Sequence, residues 1–265
     1  MLKAALAAGV GAAGGIAAYG YLWERHALET TRADLPVRGL PPALAGVRIG
    51  LLTDVHRSEW VSDEDVSDAV ARLRDEKPDL VVLGGDYVTW GDRRFAGPAA
   101  EALAQISAPE GVFAVMGNHD DERVMTQELE RRHVDVLRDA RTEIELRGER
   151  LTLMGLRFWT RRTADVASIL KGSKGFPVLL AHDPRRLTEA AALKIPLLLA
   201  GHTHGGQVVL PFVGAVAAQR FPVVSGEGRR DATTVFVSRG LGTVFIPVRM
   251  NCPPEVAILT LRRDA

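Results

Sequence analysis

Five short stretches carry side chains able to hold a metal ion or move a proton: Asp54 with His56, Asp86, Asn118 with His119, His182, and His202 with His204. Imidazole nitrogen and carboxylate oxygen are the usual protein donors to metals, and an amide oxygen can join them. A mixed set of this kind suits Mn, Fe, Zn or Co better than an all-oxygen Ca or Mg site. Eight such groups exceed the needs of one ion and suit two ions sharing a carboxylate. A His-x-His pair such as His202 and His204 is by itself a pattern chance can supply. Five of the seven histidines, however, fall in these stretches, which scattered core or surface histidines would not do.

The elements needed to position these groups are legible beside them. Val47–Leu52, Asp79–Leu83, Val112–Met116, Val178–Ala181 and Ile195–Ala200 are apolar runs bounded by turn residues and are predicted as buried strands. Each ends at one of the five stretches. Loops at one edge of a sheet converge, so residues far apart in sequence can meet there. Helices are predicted over Asp63–Glu76, Pro98–Ile106, Glu122–Arg132 and Thr163–Lys171, with another starting at Pro184. A hairpin is predicted over 142–154, and tail strands at Gln207–Leu210, Thr234–Val237 and Val256–Leu261. The alternation implies an α/β domain with helices on both sides of sheet.

Composition agrees with a globular enzyme-sized domain. The chain has 265 residues, 46% hydrophobic and 25% charged, enough for a substantial core. Its formal net charge is zero, so no global field favours nucleic acid. The single cysteine, Cys252, excludes an intrachain disulfide and sits before Pro253 and Pro254 as a plain free thiol.

The N-terminus is a separate matter. Ala4–Leu22 carries no charge and approaches the length that crosses a bilayer. It is predicted as a membrane anchor, placing the protein at a membrane as a single-pass protein. The alternatives are a signal cleaved near Ala18-Tyr19-Gly20, which would make the protein exported, and a soluble arm. The expected organisation is a hydrophobic segment over 1–25, a Pro-rich extended linker over 26–45, and a catalytic domain over 46–265.

Asp54-x-His56, Gly85-Asp86, Gly117-Asn118-His119-Asp120, His182 and Gly201-His202-x-His204 together resemble the signature of the calcineurin-like metallophosphoesterases, in family order. The resemblance extends from Gly46 to the C-terminus. The tail (Val237–Gly242, Pro247–Arg249, Pro253–Glu255) is similar to a membrane-associated bacterial branch. That branch includes phosphodiesterases cleaving the pyrophosphate of UDP-2,3-diacylglucosamine. The resemblance implies a four-layer α/β/β/α sandwich. It implies one metal on Asp54, His56 and His204, another on Asn118, His182 and His202, and Asp86 between them. It implies hydrolysis of a phosphodiester or pyrophosphate by a metal-bridging hydroxide, with His119 facing the substrate as acid or transition-state stabiliser.

Around this set, Asp120 is a candidate partner orienting a histidine, with a helix cap as the alternative. Arg57, Tyr87, Trp90 and Arg93, with Arg239 and Arg249 in the tail, are candidate phosphate or base contacts, with packing as the alternative for the first four. The second block, Gly85-Asp86-Tyr87-Val88-Thr89-Trp90-Gly91, lacks the Asp-Arg pair of the phosphoprotein phosphatases, which argues against that activity. A phosphomonoesterase and a non-catalytic scaffold of the same fold are the alternatives. The full complement of motif residues speaks against the scaffold.

Overall fold

The computed structural model describes residues 14–264. Two six-stranded mixed sheets form its centre. The first has the order β1 (Glu29–Val37), β12 (Glu255–Arg263), β2 (Arg48–Leu52), β3 (Leu80–Leu83), β4 (Val112–Ala114), β5 (Asp135–Val136). The second has the order β10 (Gly226–Arg230), β11 (Thr233–Val237), β9 (Leu197–Ala200), β8 (Phe176–Leu180), β7 (Glu149–Gly155), β6 (Ala140–Leu146). Strands β2, β3 and β4 run parallel to one another, as do β7, β8 and β9. Their carboxyl ends therefore open on a common edge.

Three apolar clusters define four layers. Leu35, Ile49, Leu80, Leu151, Leu180 and Leu199 belong to the cluster between the sheets. On the outer face of the first sheet pack α1 (Asp63–Asp75), α2 (Ala96–Leu103) and α3 (Glu122–Glu130). On the outer face of the second pack α4 (Thr163–Leu170) and α5 (Leu187–Ala192). Strands β3 and β9, and β2 after Arg48, are buried on both faces, which is why each reads as an apolar run rather than an alternation. Helix α1 starts at a capping box in which Ser62 and Asp65 satisfy each other's backbone amides, and it buries Val66, Ala69, Val70 and Leu73 along one face.

Three expectations need correction. The Pro-rich stretch is not an extended linker, because Glu29–Val37 pairs in parallel with Glu255–Arg263 along its whole length. Leu35 and Val37 are fully buried there, and Pro36 sits on a sheet-edge strand, where a missing amide is tolerated. Gln207–Leu210 forms only isolated bridges, to Met250 and Gly214, whereas β10 extends the second sheet from a charged, glycine-containing stretch with no strand signal.

The third correction concerns the membrane-spanning anchor, and with it the placement of the protein in a membrane. Among the described residues no helix is long and apolar enough to cross a membrane. Residues 1–13 of the expected span lie outside the described residues. The described remainder, over 14–22, is helical. Its end is committed to the domain. The Gly20 carbonyl accepts from the Arg249 amide at 3.3 Å, and the buried Glu24 carboxylate accepts from the Cys252 amide at 2.7 Å.

Candidate metal centre

The loops after β2, β3, β4, β8 and β9 bring all the expected donors to one edge of the sandwich. The local backbone is unusual. Asp54, His56, Asp86, His202 and His204 all adopt left-handed φ, between 48° and 73°. For residues other than glycine this conformation costs on the order of 1 kcal/mol each and persists where the surroundings over-determine it. Here they do. The Asp54 amide donates to the Gly85 carbonyl and the His56 amide to the Asp86 carbonyl, both at 2.9 Å, so the first two loops hold each other. The Asp86 loop approaches Gly117 so closely that a Cβ there would lie 2.0 Å from Asp86 Oδ1, which is why the third stretch begins with glycine.

Two groups of donors result. Asp54, His56 and His204 form one, and Asp86, His182 and His202 the other, with the donor atoms in each within 4.8 Å of one another. Asp86 faces both: its Oδ2 is 3.1 Å from His182 Nε2 and 3.5 Å from His56 Nε2. His56 Nε2 and His204 Nε2 stand 3.1 Å apart, as do His202 Nδ1 and His182 Nε2. Imidazole nitrogens facing each other at that distance require a proton or a cation between or beside them. Asn118 Oδ1 is buried with no hydrogen-bond partner, an arrangement native proteins avoid unless a ligand completes it. This donor set therefore fits divalent metal. The His182 Nδ1–H donates to the Gly84 carbonyl at 2.8 Å, which aims Nε2 inward.

Burial pushes the His56 imidazole down to about 3 against the pull of Asp86, and pushes His202 to about 4 with the help of His182. His204 is lowered by burial and then by the Arg249 guanidinium. His182 goes the other way. Burial alone would lower it, but Asp86, through charge and a hydrogen bond, and then Asp54 carry it up to about 10. Burial would likewise raise Asp86, and the charge and hydrogen bond of His182, then His56, hold it well below the usual carboxylate range. Without metal, the site thus balances its carboxylates with a proton on His182. A divalent cation would displace that proton, since a ligating imidazole must be neutral.

His119 sits at the rim. Its own amide donates to Asp86 Oδ1 at 2.8 Å, and the Trp90 amide donates to its Nδ1 at 3.2 Å. A neutral ring accepting at Nδ1 carries its proton on Nε2. The ring lies 4.3 Å from the Trp90 ring and 4.9 Å from His56. Burial lowers its basicity, with Asp86 opposing.

The remaining candidates divide. Asp120 neither orients a histidine nor caps the helix. Its carboxylate accepts from the amides of Asp86, Tyr87, Val88 and Gly117 at 2.8–3.3 Å, while Asp121 caps α3. Burial and then Asp86 push Asp120 up to about 7 against those amides. It ties the Asp86 loop to the Asn118 loop. Arg57 is occupied by Asp63 at 2.6 Å and by backbone carbonyls, with its guanidinium over Phe95. Arg239 is paired with Glu255 and Glu29 at 2.8 and 2.9 Å, and Arg93 with Asp121. Arg249 is fully buried against carbonyls. Tyr87 is core, its hydroxyl donating to the Val115 carbonyl at 2.8 Å. The Thr203 hydroxyl donates to the Val224 carbonyl at 2.6 Å and so braces its loop.

An aromatic wall goes beyond what the spacing of donors predicts. Phe158 and Phe221 approach the His202 ring at 5.5 and 5.3 Å, and Trp90 meets Phe245 at 5.4 Å. A cavity of about 660 Å³ opens over Asp86, Asn118 and His119, with Phe221, Phe245 and Ile246 in its lining. The position of Phe158 beyond the end of β7 was the available signal: it follows a strand end as the donors do.

The profile of the calcineurin-like phosphoesterases matches residues 47–206, the span that contains every one of the donors. The chain is 30% identical to the uncharacterized metallophosphoesterase YkuE of Bacillus subtilis, over 97% of this chain and 94% of that protein. It is also 30% identical to the phosphodiesterase YaeI of Escherichia coli, over 82% of this chain and 83% of that one. Among solved structures, the NAD nucleotidase of Haemophilus influenzae shares the fold at a TM-score of 0.50 and 14% identity, over 74% of this chain and 45% of that one. Phosphoric ester hydrolysis supported by divalent metal is the chemistry these relationships and the donor clusters share. On both grounds the chain belongs to the calcineurin-like phosphoesterase family.

Proposed function

We propose that the protein is a dinuclear metal-dependent phosphodiesterase or pyrophosphatase, with Asp54, His56 and His204 on one ion, Asn118, His182 and His202 on the other, and Asp86 shared. The observation that carries this reading is Asp86 Oδ2 lying within 3.1 and 3.5 Å of imidazoles from the two separate clusters. Two divalent ions (Mn, Fe, Zn or Co by donor type) would supply hydroxide near neutral pH and offset the charge of an in-line displacement. The protein's own part is positional. Asp120 and the mutual hydrogen bonds of the β2 and β3 loops hold the donors in register. His119, protonated at Nε2, gives that proton to the leaving oxygen.

Two cavities support a diester rather than a monoester. Trp90 and Phe245 line both the 660 Å³ cavity over the donors and a second of about 490 Å³. The two substituents of a diester could each find room in these adjoining cavities. Phe245 and Ile246 are largely exposed, and such surface favours a substrate with an apolar portion, including lipid-linked diphosphates such as UDP-2,3-diacylglucosamine.

The test is turnover by purified, Mn-loaded protein of bis-p-nitrophenyl phosphate, p-nitrophenyl phosphate and nucleotide-linked lipid diphosphates. Diester or diphosphate turnover well above monoester turnover is expected. Preference for the monoester would overturn the diesterase reading, and no turnover of any of the three would overturn the hydrolase roles given to these residues.

A further inference from the structure

Arg249 is the bulkiest fully buried side chain described, yet all its hydrogen bonds to oxygen end on backbone carbonyls. Nη1 donates to the Cys252 carbonyl at 3.0 Å. Nη2 donates to the carbonyls of Arg239, Gly240 and Gly242 at 2.9, 3.1 and 2.7 Å. A buried guanidinium without a carboxylate against it is expensive, and burial duly lowers its basicity. What it holds is specific. The Leu241 amide donates to the Thr53 carbonyl at 3.1 Å and the Gly242 amide to the Asp54 carbonyl at 2.7 Å. A Cβ on Gly240 would lie 2.5 Å from Asp54 Cβ, and one on Gly242 would lie 2.8 Å from His56 Cβ. The 240–242 loop therefore lies directly on two donors of one cluster. The third is reached from the same centre, since the Cys252 thiol donates to the His204 carbonyl at 3.2 Å.

The N-terminal helix closes this unit from outside. Gly20 meets Arg249 so closely that a Cβ would lie 2.3 Å from the Arg249 carbonyl oxygen. The Glu24 carboxylate accepts from the Cys252 amide at 2.7 Å. Among the described residues the 240–242 loop and Cys252 make no such contact with the second cluster, where His182 is held by the Gly84 carbonyl, Asp86 receives the His119 amide, and the His202 amide donates to the Asp54 carboxylate at 3.0 Å.

We propose that Arg249 is a positioning residue for the Asp54–His56–His204 metal site alone, and that docking of the N-terminal helix through Gly20 and Glu24 keeps it in place. The inference rests on the two-ion reading above. It makes the N-terminal helix a part of the catalytic domain and makes the affinity of one ion, but not the other, depend on it. Arg249 itself touches neither substrate nor ion and acts through the 240–242 loop and Cys252.

The experiment is calorimetric titration of metal-stripped full-length protein with Mn²⁺ alone, for wild type, Arg249→Lys, Glu24→Met and Gly20→Val, with folding followed by circular dichroism. Wild type is expected to bind two ions per chain. If it binds fewer, the two-ion reading itself fails, independently of the brace. Given two ions, each folded variant is expected to weaken one site by roughly 10–100-fold, the range for lost supporting contacts, and to leave the other unchanged. Both sites unchanged, or both weakened alike, would overturn the proposal. Should Arg249→Lys fail to fold, Glu24→Met carries the same two readings, because it removes the oxygen that accepts from the Cys252 amide. A steady-state companion is expected to show kcat falling in Arg249→Lys at low Mn²⁺ and recovering at high Mn²⁺, with KM for bis-p-nitrophenyl phosphate held. Recovery that stays absent at saturating Mn²⁺ also counts against a positioning role.

Discussion

The two donor clusters are built from the same residue types and are held in opposite ways. Asp54, His56 and His204 are braced from behind by the C-terminal tail, through the 240–242 loop and the Cys252 thiol. Asp86, His182 and His202 are held by neighbouring strand-end loops, with Asp120 gathering four amides, and by Phe158 and Phe221 against the His202 ring. Their charge differs too. Both imidazoles of the first cluster are kept neutral by burial, whereas the second contains His182, whose proton balances Asp86 in the metal-free protein. Similar donor sets thus rest on different supports, one long-range and one local. Perturbations should separate them.

The largest effect belongs to the residue that removes the distinction. Asp86→Asn is expected to lower turnover by about 10³-fold or more, as when a group stabilising transition-state charge is lost, and to weaken metal binding at both clusters. Activity within tenfold of wild type would show that Asp86 is not shared. Next comes a residue outside both donor clusters. His119→Asn should reduce kcat by about 10²-fold with the bound metal unchanged, and the loss should shrink for diesters with acidic leaving groups, which need no proton. A loss equal for all leaving groups would remove His119 from the proton-transfer role.

Acid and alkali should sharpen the contrast in the metal-free protein. His56 and His202 have folded values of about 3 and 4, below the ordinary 6.5. Their contribution is fully present above pH 6.5 and is lost as the pH falls toward 4 and 3. His182, at about 10, lies above 6.5, so its contribution is fully present below pH 6.5 and is lost as the pH rises toward 10. Urea denaturation in chelator should therefore find greatest stability near pH 6.5. Asp86→Asn should flatten the alkaline limb and keep the acid one, and added metal should flatten the alkaline limb in wild type. A metal-free profile level from pH 6.5 to 9 would sink the assignment of the proton to His182.

The smallest effects belong to the arginines the fold diverts elsewhere. Arg57→Ala should change kcat/KM less than tenfold, and loss of its pairing with the exposed Asp63 should cost about 0.2–1 kcal/mol of stability. A rise in KM beyond tenfold would return Arg57 to the substrate.

The donors could be read from sequence because each follows a strand whose apolar run is a local property, and because strand ends converge by the rules of the fold. The strand signal worked where burial on both faces leaves no polar residue, as in Leu197–Ala200. It failed for Glu29–Val37, where polar and proline residues on an edge strand resemble a linker. Arg57 and Arg239 read as free cations because nothing local marks Asp63 or Glu255 as their partners. Asp120 was legible as a supporting residue, but the four amides it accepts from come from two loops whose approach no local pattern encodes.

The amino-acid sequence by itself determined the donor types, their order and the strands that present them, since these depend on residue chemistry and short-range periodicity. Only the tertiary structure decided that Glu29 and Glu255 begin paired strands, that the N-terminal helix over 14–22 ends on the domain, that Asp86 faces both clusters, and that an arginine 45 residues beyond His204 braces one of them. These are contacts between segments far apart in the chain, Glu24 and Cys252 being 228 positions from each other. They arise from packing, when burial forces each polar group to find whichever partner the fold has brought within reach.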